Sequence, residues 1–132
     1  MRIVLKAAGN AYWENDRLTF AAIDEDISPN IIVGAIDLYN RDALNQRAEV
    51  GLVVDEDYRR KGYATEMLRQ LILLVSDMKS LHQIYADIVT SNLVSQRLFS
   101  KAGFMAAGTL REWFFDGEKY EDVVRYQLIL NE

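Results

Sequence analysis

Between Glu49 and Met78 the chain reads as a strand, a basic turn and a helix, and this stretch constrains the fold most. Glu49–Val54 is apolar and β-branched, as a buried strand requires. Asp55-Glu56-Asp57 ends that run, and Arg59-Arg60-Lys61-Gly62 follows. Ala64, Met67, Leu68, Leu71, Ile72, Val75 and Met78 then recur at helical spacing. The first N–H groups of a helix have no intrahelical partner, and the helix dipole adds partial positive charge there. Gly62 has no Cβ and lets backbone approach a ligand closely. A phosphate or pyrophosphate is the natural guest of such a turn. Neither G-x-x-x-x-G-K-S/T nor G-x-G-x-x-G is present, which excludes a P-loop and a dinucleotide fingerprint. On the residues alone, a solvated basic turn stays open as the alternative.

The remaining composition narrows the class. The 132 residues suit a single domain over 1–132, large enough to bury roughly two-thirds of its unfolded surface. Half the residues are hydrophobic, so the chain is globular. It has no cysteine, which excludes disulfides, thiolate metal sites and a Cys nucleophile and fits a cytoplasmic location. His82 is the only histidine, so no His-based metal site or Ser-His-Asp triad is expected. A net charge of −5 argues against a nucleic-acid surface and suits a cationic acceptor. No apolar run is long enough for a membrane span, and Met1–Lys6 lacks a signal-peptide core.

Taken in order, Ile3, Val4, Ala7 and Ala8 suggest one side of a helix ending near Gly9-Asn10. Arg17–Asp24 and Ile31–Tyr39 read as an antiparallel hairpin around Ser28-Pro29-Asn30. Asn40–Arg47 is a polar connection to the Glu49–Val54 strand. After the long helix, Ile84–Thr90 alternates as a strand. Ser91-Asn92 offers a helix cap for Leu93–Ala102, with Gly103 as its stop and Phe104 as the contact beyond it. Met105–Phe115 and Tyr120–Leu130 are strands joined at Asp116-Gly117. The order helix, β, β, β, helix, β, helix, β, β predicts a mixed α/β sheet with a β–helix–β crossover at its centre.

Arg59-Arg60-Lys61-Gly62-Tyr63-Ala64 resembles the Q/R-x-x-G-x-G/A signature of the GNAT acetyltransferases, with Arg59, Gly62 and Ala64 at the signature positions. The strand before it and the helix after it are the required context. The element order is similar to most of the GNAT fold, so the resemblance covers nearly the whole chain. Asn92-x-x-Ser95, Leu98-Phe99 and Ala102-Gly103-Phe104 look like the second cofactor-contacting helix of the branch with ribosomal-protein and spermidine acetyltransferases. Gly108-Thr109-Leu110-Arg111 and Phe115–Tyr120 look like its ending. The resemblance implies an N-terminally shortened GNAT fold, because members open with a strand and two helices. The first strand and first helix are expected to be missing here. That would bare the edge of the Arg17–Asp24 strand, and a second copy, as a homodimer, is the expected cover. A shortened chain or a misassigned start is the alternative.

The resemblance implies that acetyl-CoA is the cosubstrate. Its pyrophosphate would sit on the turn formed by Arg59, Arg60, Lys61, Gly62, Tyr63, Ala64 and Thr65. Main chain of Leu52, Val53 and Val54 would hydrogen-bond its pantetheine arm, as would Asn92 and Ser95. Core packing and helix capping are the competing roles for these residues. Glu49 is the candidate catalytic base, since acetyl transfer needs a carboxylate to take the amine proton; a strand-end ion pair with Arg47 or Arg41 is the alternative. Asp37 on the neighbouring strand is the second candidate. Many family members place a tyrosine acid where this chain has Phe99, leaving Tyr63 or Tyr85 as substitutes, or no acid at all. Trp13 and Trp113 are candidate acceptor-pocket aromatics. The expected activity is N-acetylation of a primary amine, such as a polyamine, another small amine or a protein N-terminus. The alternatives are a degenerate domain that binds acyl-CoA or a partner without turnover, and an oligomerisation module.

Overall fold

The computed structural model describes residues 1–9 and 12–130. A single seven-stranded sheet carries the molecule, built from β1 (Ile3–Ala7), β2 (Leu18–Asp24), β3 (Ile32–Asp42), β4 (Arg47–Val54), β5 (Gln83–Val89), β6 (Met105–Phe115) and β7 (Tyr120–Ile129). Two helices, α1 (Tyr63–Met78) and α2 (Leu93–Lys101), complete it. The strand order is β1-β2-β3-β4-β5-β7-β6. All neighbours are antiparallel except β4 and β5, which the α1 crossover joins in parallel.

The alternation of each strand separates two faces. Ile36, Leu38, Ala48, Val50, Ile84 and Ala86 are buried and join one core with Met67, Leu68, Leu71 and Val75 of α1 and Phe99 of α2. Both helices therefore cover the same face. On the opposite face Asp37, Tyr39, Glu49, Gly51, Tyr85 and Asp87 form a polar ladder across β3, β4 and β5.

β4 and β5 stay together only briefly. Their pairing runs from Arg47↔Gln83 to Glu49↔Tyr85 and stops there. β4 keeps β3 as its partner up to Gly34↔Val54, while β5 keeps β7 up to Val89↔Val123. The sheet thus divides into two halves that part immediately after Glu49. The edge of β4 facing β5 is left unpaired from Val50 onward.

One expectation is corrected at the start of the chain. Ile3–Ala7 is a strand, not a helix face, and pairs with β2 from Ile3↔Asp24 to Ala7↔Phe20. So short a segment is a poor helix nucleus, while the β2 edge offers Ile3 and Val4 an extended partner. An opening strand is therefore present, and β2 has two neighbours. The bare β2 edge expected from the sequence does not exist; the open edges are β1 and β6. Among the described residues no helix stands between β1 and β2. The expected helix end at Gly9-Asn10 falls partly outside them, at Asn10.

The later elements follow their sequence signals. Asn92 caps α2 through its Oδ1, which accepts from Ser95 N at 3.1 Å. Gly103, at φ +102°, and Phe104 close the helix, donating to the carbonyls of Ser100 and Phe99. The Phe104 ring meets Phe99 edge-on at 5.0 Å. Asp116 accepts from the N–H groups of Glu118 and Lys119 and fixes the β6–β7 hairpin.

Candidate active site

At the apex of the split stands Glu49. Tyr39 donates its hydroxyl to Glu49 Oε2 at 2.8 Å, and Asn40 Nδ2 donates to Oε1 at 3.2 Å. Both carboxylate oxygens are thus held by neutral donors. Neither arginine considered from the sequence pairs with it, because Arg47 bridges Asp42 and Arg41 bridges Asp16. The Tyr39 ring needs room above Gly51. A Cβ on Gly51 would lie 3.1 Å from Tyr39 Cε1 and 2.5 Å from Asp37 Oδ1. Burial, and then the bond to Glu49, push the Tyr39 hydroxyl far above the usual phenol range.

A cavity of about 500 Å³ opens from Glu49 along the gap between β4 and β5. Gly51 and Leu52 form one side, Asp87 and Ile88 the other, and Trp113 and Phe114 of β6 part of the wall. A second cavity, of about 510 Å³, continues over the start of α1. Leu52, Ser95 and Leu98 line both, so the two form one cleft.

The second cavity gathers most of the residues singled out for an anion. Arg59, Arg60, Gly62, Tyr63, Ala64 and Thr65 line it, together with Leu52, Val54 and Ser95. Gly62 caps α1 at φ +87°, and Arg60 is also left-handed at φ +62°, an uncommon conformation for a side-chain-bearing residue. The first α1 bond is Glu66 N to Gly62 O, so the N–H groups of Tyr63, Ala64 and Thr65 have no helical acceptor. Arg59 Nε donates to Val54 O at 2.9 Å, tying the turn to the end of β4. Lys61 is not in the lining, and its ammonium lies 5.7 Å from the Tyr58 ring centroid. The Val53 side chain is half exposed and also outside both cavities. Asn92 lines the first cavity while capping α2.

Other candidates resolve differently. Asp37 bridges Arg17 at 2.9 Å and does not reach the cavities; burial raises its carboxyl above the ordinary range. Tyr63 is buried and donates to Asp24 Oδ2 at 2.6 Å, a bond that pushes its hydroxyl up to about 12. Tyr85 lies under the Arg125 guanidinium at 4.7 Å, and burial raises its hydroxyl too. Trp13 packs beneath Arg41 at 4.6 Å, away from the cleft, whereas Trp113 lines it.

Sequence reading missed several members. Val94, Arg97 and Lys101 join Leu98, which the sequence had already placed on this helix, in one stripe of α2 along the second cavity, with Leu98 at i+4 between Val94 at i, Arg97 at i+3 and Lys101 at i+7. That spacing is visible in the sequence. Tyr39 and Asn40 gave no such signal, because only the β3–β4 register brings them to Glu49.

The family model described as an acetyltransferase (GNAT) domain matches residues 3–105. The chain belongs to the GNAT acetyltransferase family. This GNAT chain is 27% identical over 105 residues to a spermidine N(1)-acetyltransferase of Vibrio cholerae, covering 80% of the chain and 60% of that protein. It is 31% identical over 119 residues to the SPbeta prophage-derived N-acetyltransferase YokL of Bacillus subtilis, covering 90% and 66%. A ribosomal-protein-serine acetyltransferase of Escherichia coli matches at 26% over 100 residues, covering 76% and 56%. The chain thus spans between just over half and two-thirds of the length of these relatives. The V. cholerae spermidine N-acetyltransferase solved with CoA and spermine superposes with a TM-score of 0.81 at 23% identity, covering 88% of this chain and 67% of that one. A spermidine/spermine N-acetyltransferase structure from the same organism reaches 0.87 at 19% identity, covering 98% and 93%. These two superpositions establish the shared fold. No helix among the described residues is long and apolar enough to cross a membrane.

Proposed function

We propose that the protein is an N-acetyltransferase that transfers acetyl from acetyl-CoA to a primary amine by direct attack in a ternary complex. The observation that carries this reading is the continuity of the cleft from the amide-rich, basic turn at Gly62 to the held carboxylate of Glu49. A pyrophosphate suits one end and an ammonium the other.

The residues present fit acetyl-CoA. Beyond Gly62 there is open room, with only Met1 Cε at 3.9 Å from an added Cβ. Arg59, Arg60, Arg97 and Lys101 surround that space with positive charge, and Lys61 adds to it from the same turn. Main chain of Leu52, Val53 and Val54 runs beside the gap left by β5, and Asn92 and Ser95 stand at the start of α2. Acetyl-CoA would supply an activated thioester whose thiol, near the ordinary pKa of about 8.5, is a fair leaving group.

Glu49 accepts the amine proton, directly or through water, as the nitrogen attacks. Tyr39 and Asn40 fix its orientation. Phe99 has no ionisable proton to give and Tyr63 is committed to Asp24, so the thiolate leaves unassisted or through water. The absence of cysteine favours direct transfer over a thioester intermediate on the protein.

Mass spectrometry of a primary-amine panel incubated with acetyl-CoA tests the reading. Wild type yields N-acetyl products, and Glu49→Gln lowers kcat by about 10²–10⁴-fold with acetyl-CoA affinity kept. The competing reading, binding without turnover, rests on Phe99. It prevails if folded wild type binds acetyl-CoA and acetylates nothing. We place the reaction in the cytoplasm on the cysteine-free sequence. A second copy is the simplest cover for the β6 edge, whose residues are exposed except for the half-buried Leu110. Light scattering that finds only monomer at high concentration removes that dimer.

A further inference from the structure

One carboxylate ties three elements together behind the start of α1. Among the described residues, Asp24 is the only buried charged side chain, with 3% of its surface exposed. Its Oδ1 accepts from the N–H groups of Arg2 and Asp26, each at 3.0 Å, and its Oδ2 accepts from the Tyr63 hydroxyl at 2.6 Å. The end of β2, the approach to β1 and the first residue of α1 thus meet at one side chain. Asp24 itself lies outside both cavities, whereas Tyr63 lines the second. An apolar pair of the same volume would fill this space as well; a buried hydrogen bond to a carboxylate adds a fixed direction.

The turn it reaches needs such a hold. Arg60 is left-handed at φ +62° and Gly62 at φ +87°. A side-chain-bearing residue keeps that conformation only where its surroundings fix it. On the β4 side, Arg59 Nε is bonded to Val54 O at 2.9 Å. On the α1 side, the Tyr63 hydroxyl on Asp24 is the corresponding tie. The N–H groups of Tyr63, Ala64 and Thr65, which lack helical acceptors, start at that tie.

We propose that Asp24 is a positioning residue for acetyl-CoA, which sets through the Tyr63 hydroxyl the direction of the amides that meet the pyrophosphate. The inference rests on the acetyl-CoA reading above and not on turnover. A turn held in its binding shape saves the cost of ordering it when the ligand arrives.

Calorimetric titration of acetyl-CoA into wild type, Tyr63→Phe and Val75→Ala tests this. Phenylalanine keeps the ring and its edge-on contact with Tyr58 at 6.0 Å and removes only the hydroxyl. Val75, fully buried toward the far end of the same helix, is the control for general loosening. Both variants lower Tm. Tyr63→Phe weakens acetyl-CoA by about five-fold or more, while Val75→Ala stays within about two-fold. Steady-state rates place the loss in KM for acetyl-CoA and leave kcat within about two-fold, because Glu49 is held separately by Tyr39 and Asn40. Unchanged affinity in folded Tyr63→Phe, or an equal loss in both variants, overturns the inference. If Tyr63→Phe does not fold, amide exchange on wild type decides. Bound acetyl-CoA then slows exchange at Arg2 and Asp26, which donate to Asp24, well beyond any slowing at Asn45, which Asp42 holds in the β3–β4 turn. Equal slowing, or none, overturns it. Wild type that binds acetyl-CoA and acetylates nothing overturns the enzyme reading and leaves this inference standing on the binding result; no binding by folded wild type overturns both.

Discussion

Gly51 is the residue on which the geometry of the proposed base depends most directly. It lies opposite Asp37 in the β3–β4 register, and its missing Cβ lets the Tyr39 ring and the Asp37 carboxylate rest on the sheet. Gly51→Ala puts a methyl 2.5 Å from Asp37 Oδ1 and 3.1 Å from Tyr39 Cε1, so the carboxylate must shift and the ring must give by a few tenths of an ångström. The expected result is a fall in kcat of about ten-fold or more, since sub-ångström misplacement of a reacting group is costly. Acetyl-CoA affinity should stay within about two-fold, because the anion end of the cleft is untouched. Calorimetry and initial rates on the same preparation separate the two. An unchanged kcat in a folded variant would show that Tyr39 does not govern Glu49. At this scale the sequence singled out Glu49, Gly62 and Ser95, which the fold brings to the lining of the two cavities. It was silent about Tyr39 and Asn40, whose role comes from cross-strand register and not from any local pattern.

Among the elements, α1 bears the most, supplying both the first-turn amides that lack helical acceptors and the largest share of helix core. Its first turn carries Glu66, which accepts Arg69 at 2.6 and 2.9 Å and Gln70 at 3.0 Å. Those bonds, the Arg69 bond foremost, lower its carboxyl from 4.5 to about 2. The folded-state pKa is depressed, so the stabilisation is fully present above about pH 4.5 and disappears as pH falls toward 2. Arg69 is largely exposed, so solvent screening keeps the contribution of the pair small. Glu66→Gln should therefore reduce Tm at neutral pH and make no difference near pH 2; an equal loss at both would contradict this account. Deeper in the helix, Leu68 is fully buried, and Leu68→Ala should cost about 2–5 kcal/mol in urea denaturation. α1 was legible because its apolar positions repeat at helical spacing over 16 residues. β1 was not: five residues fit either period, and what makes them a strand is the β2 edge, a tertiary partner that local sequence does not reveal.

For the whole molecule, the defining feature is one cleft crossing a split sheet, basic at one end and acidic at the other. The topology was readable in order from β2 onward, since each strand is bounded by turn signals and the crossover is carried by α1. The split itself was not readable, because it reflects where β4 and β5 stop pairing while keeping their outer neighbours. A chain of net charge −5 concentrates four cationic side chains at one mouth. Raising salt from about 0.05 M to about 0.5 M should therefore weaken acetyl-CoA binding several-fold, and a salt-independent Kd would remove the electrostatic role of that mouth. The most direct test of the central claim is calorimetric titration of acetyl-CoA into wild type beside a folded Arg59→Ala/Gly62→Val variant. The account predicts a micromolar Kd for wild type, equivalent to about 8 kcal/mol, and at least a ten-fold loss in the variant. No binding by folded wild type, or equal binding by the variant, would contradict it.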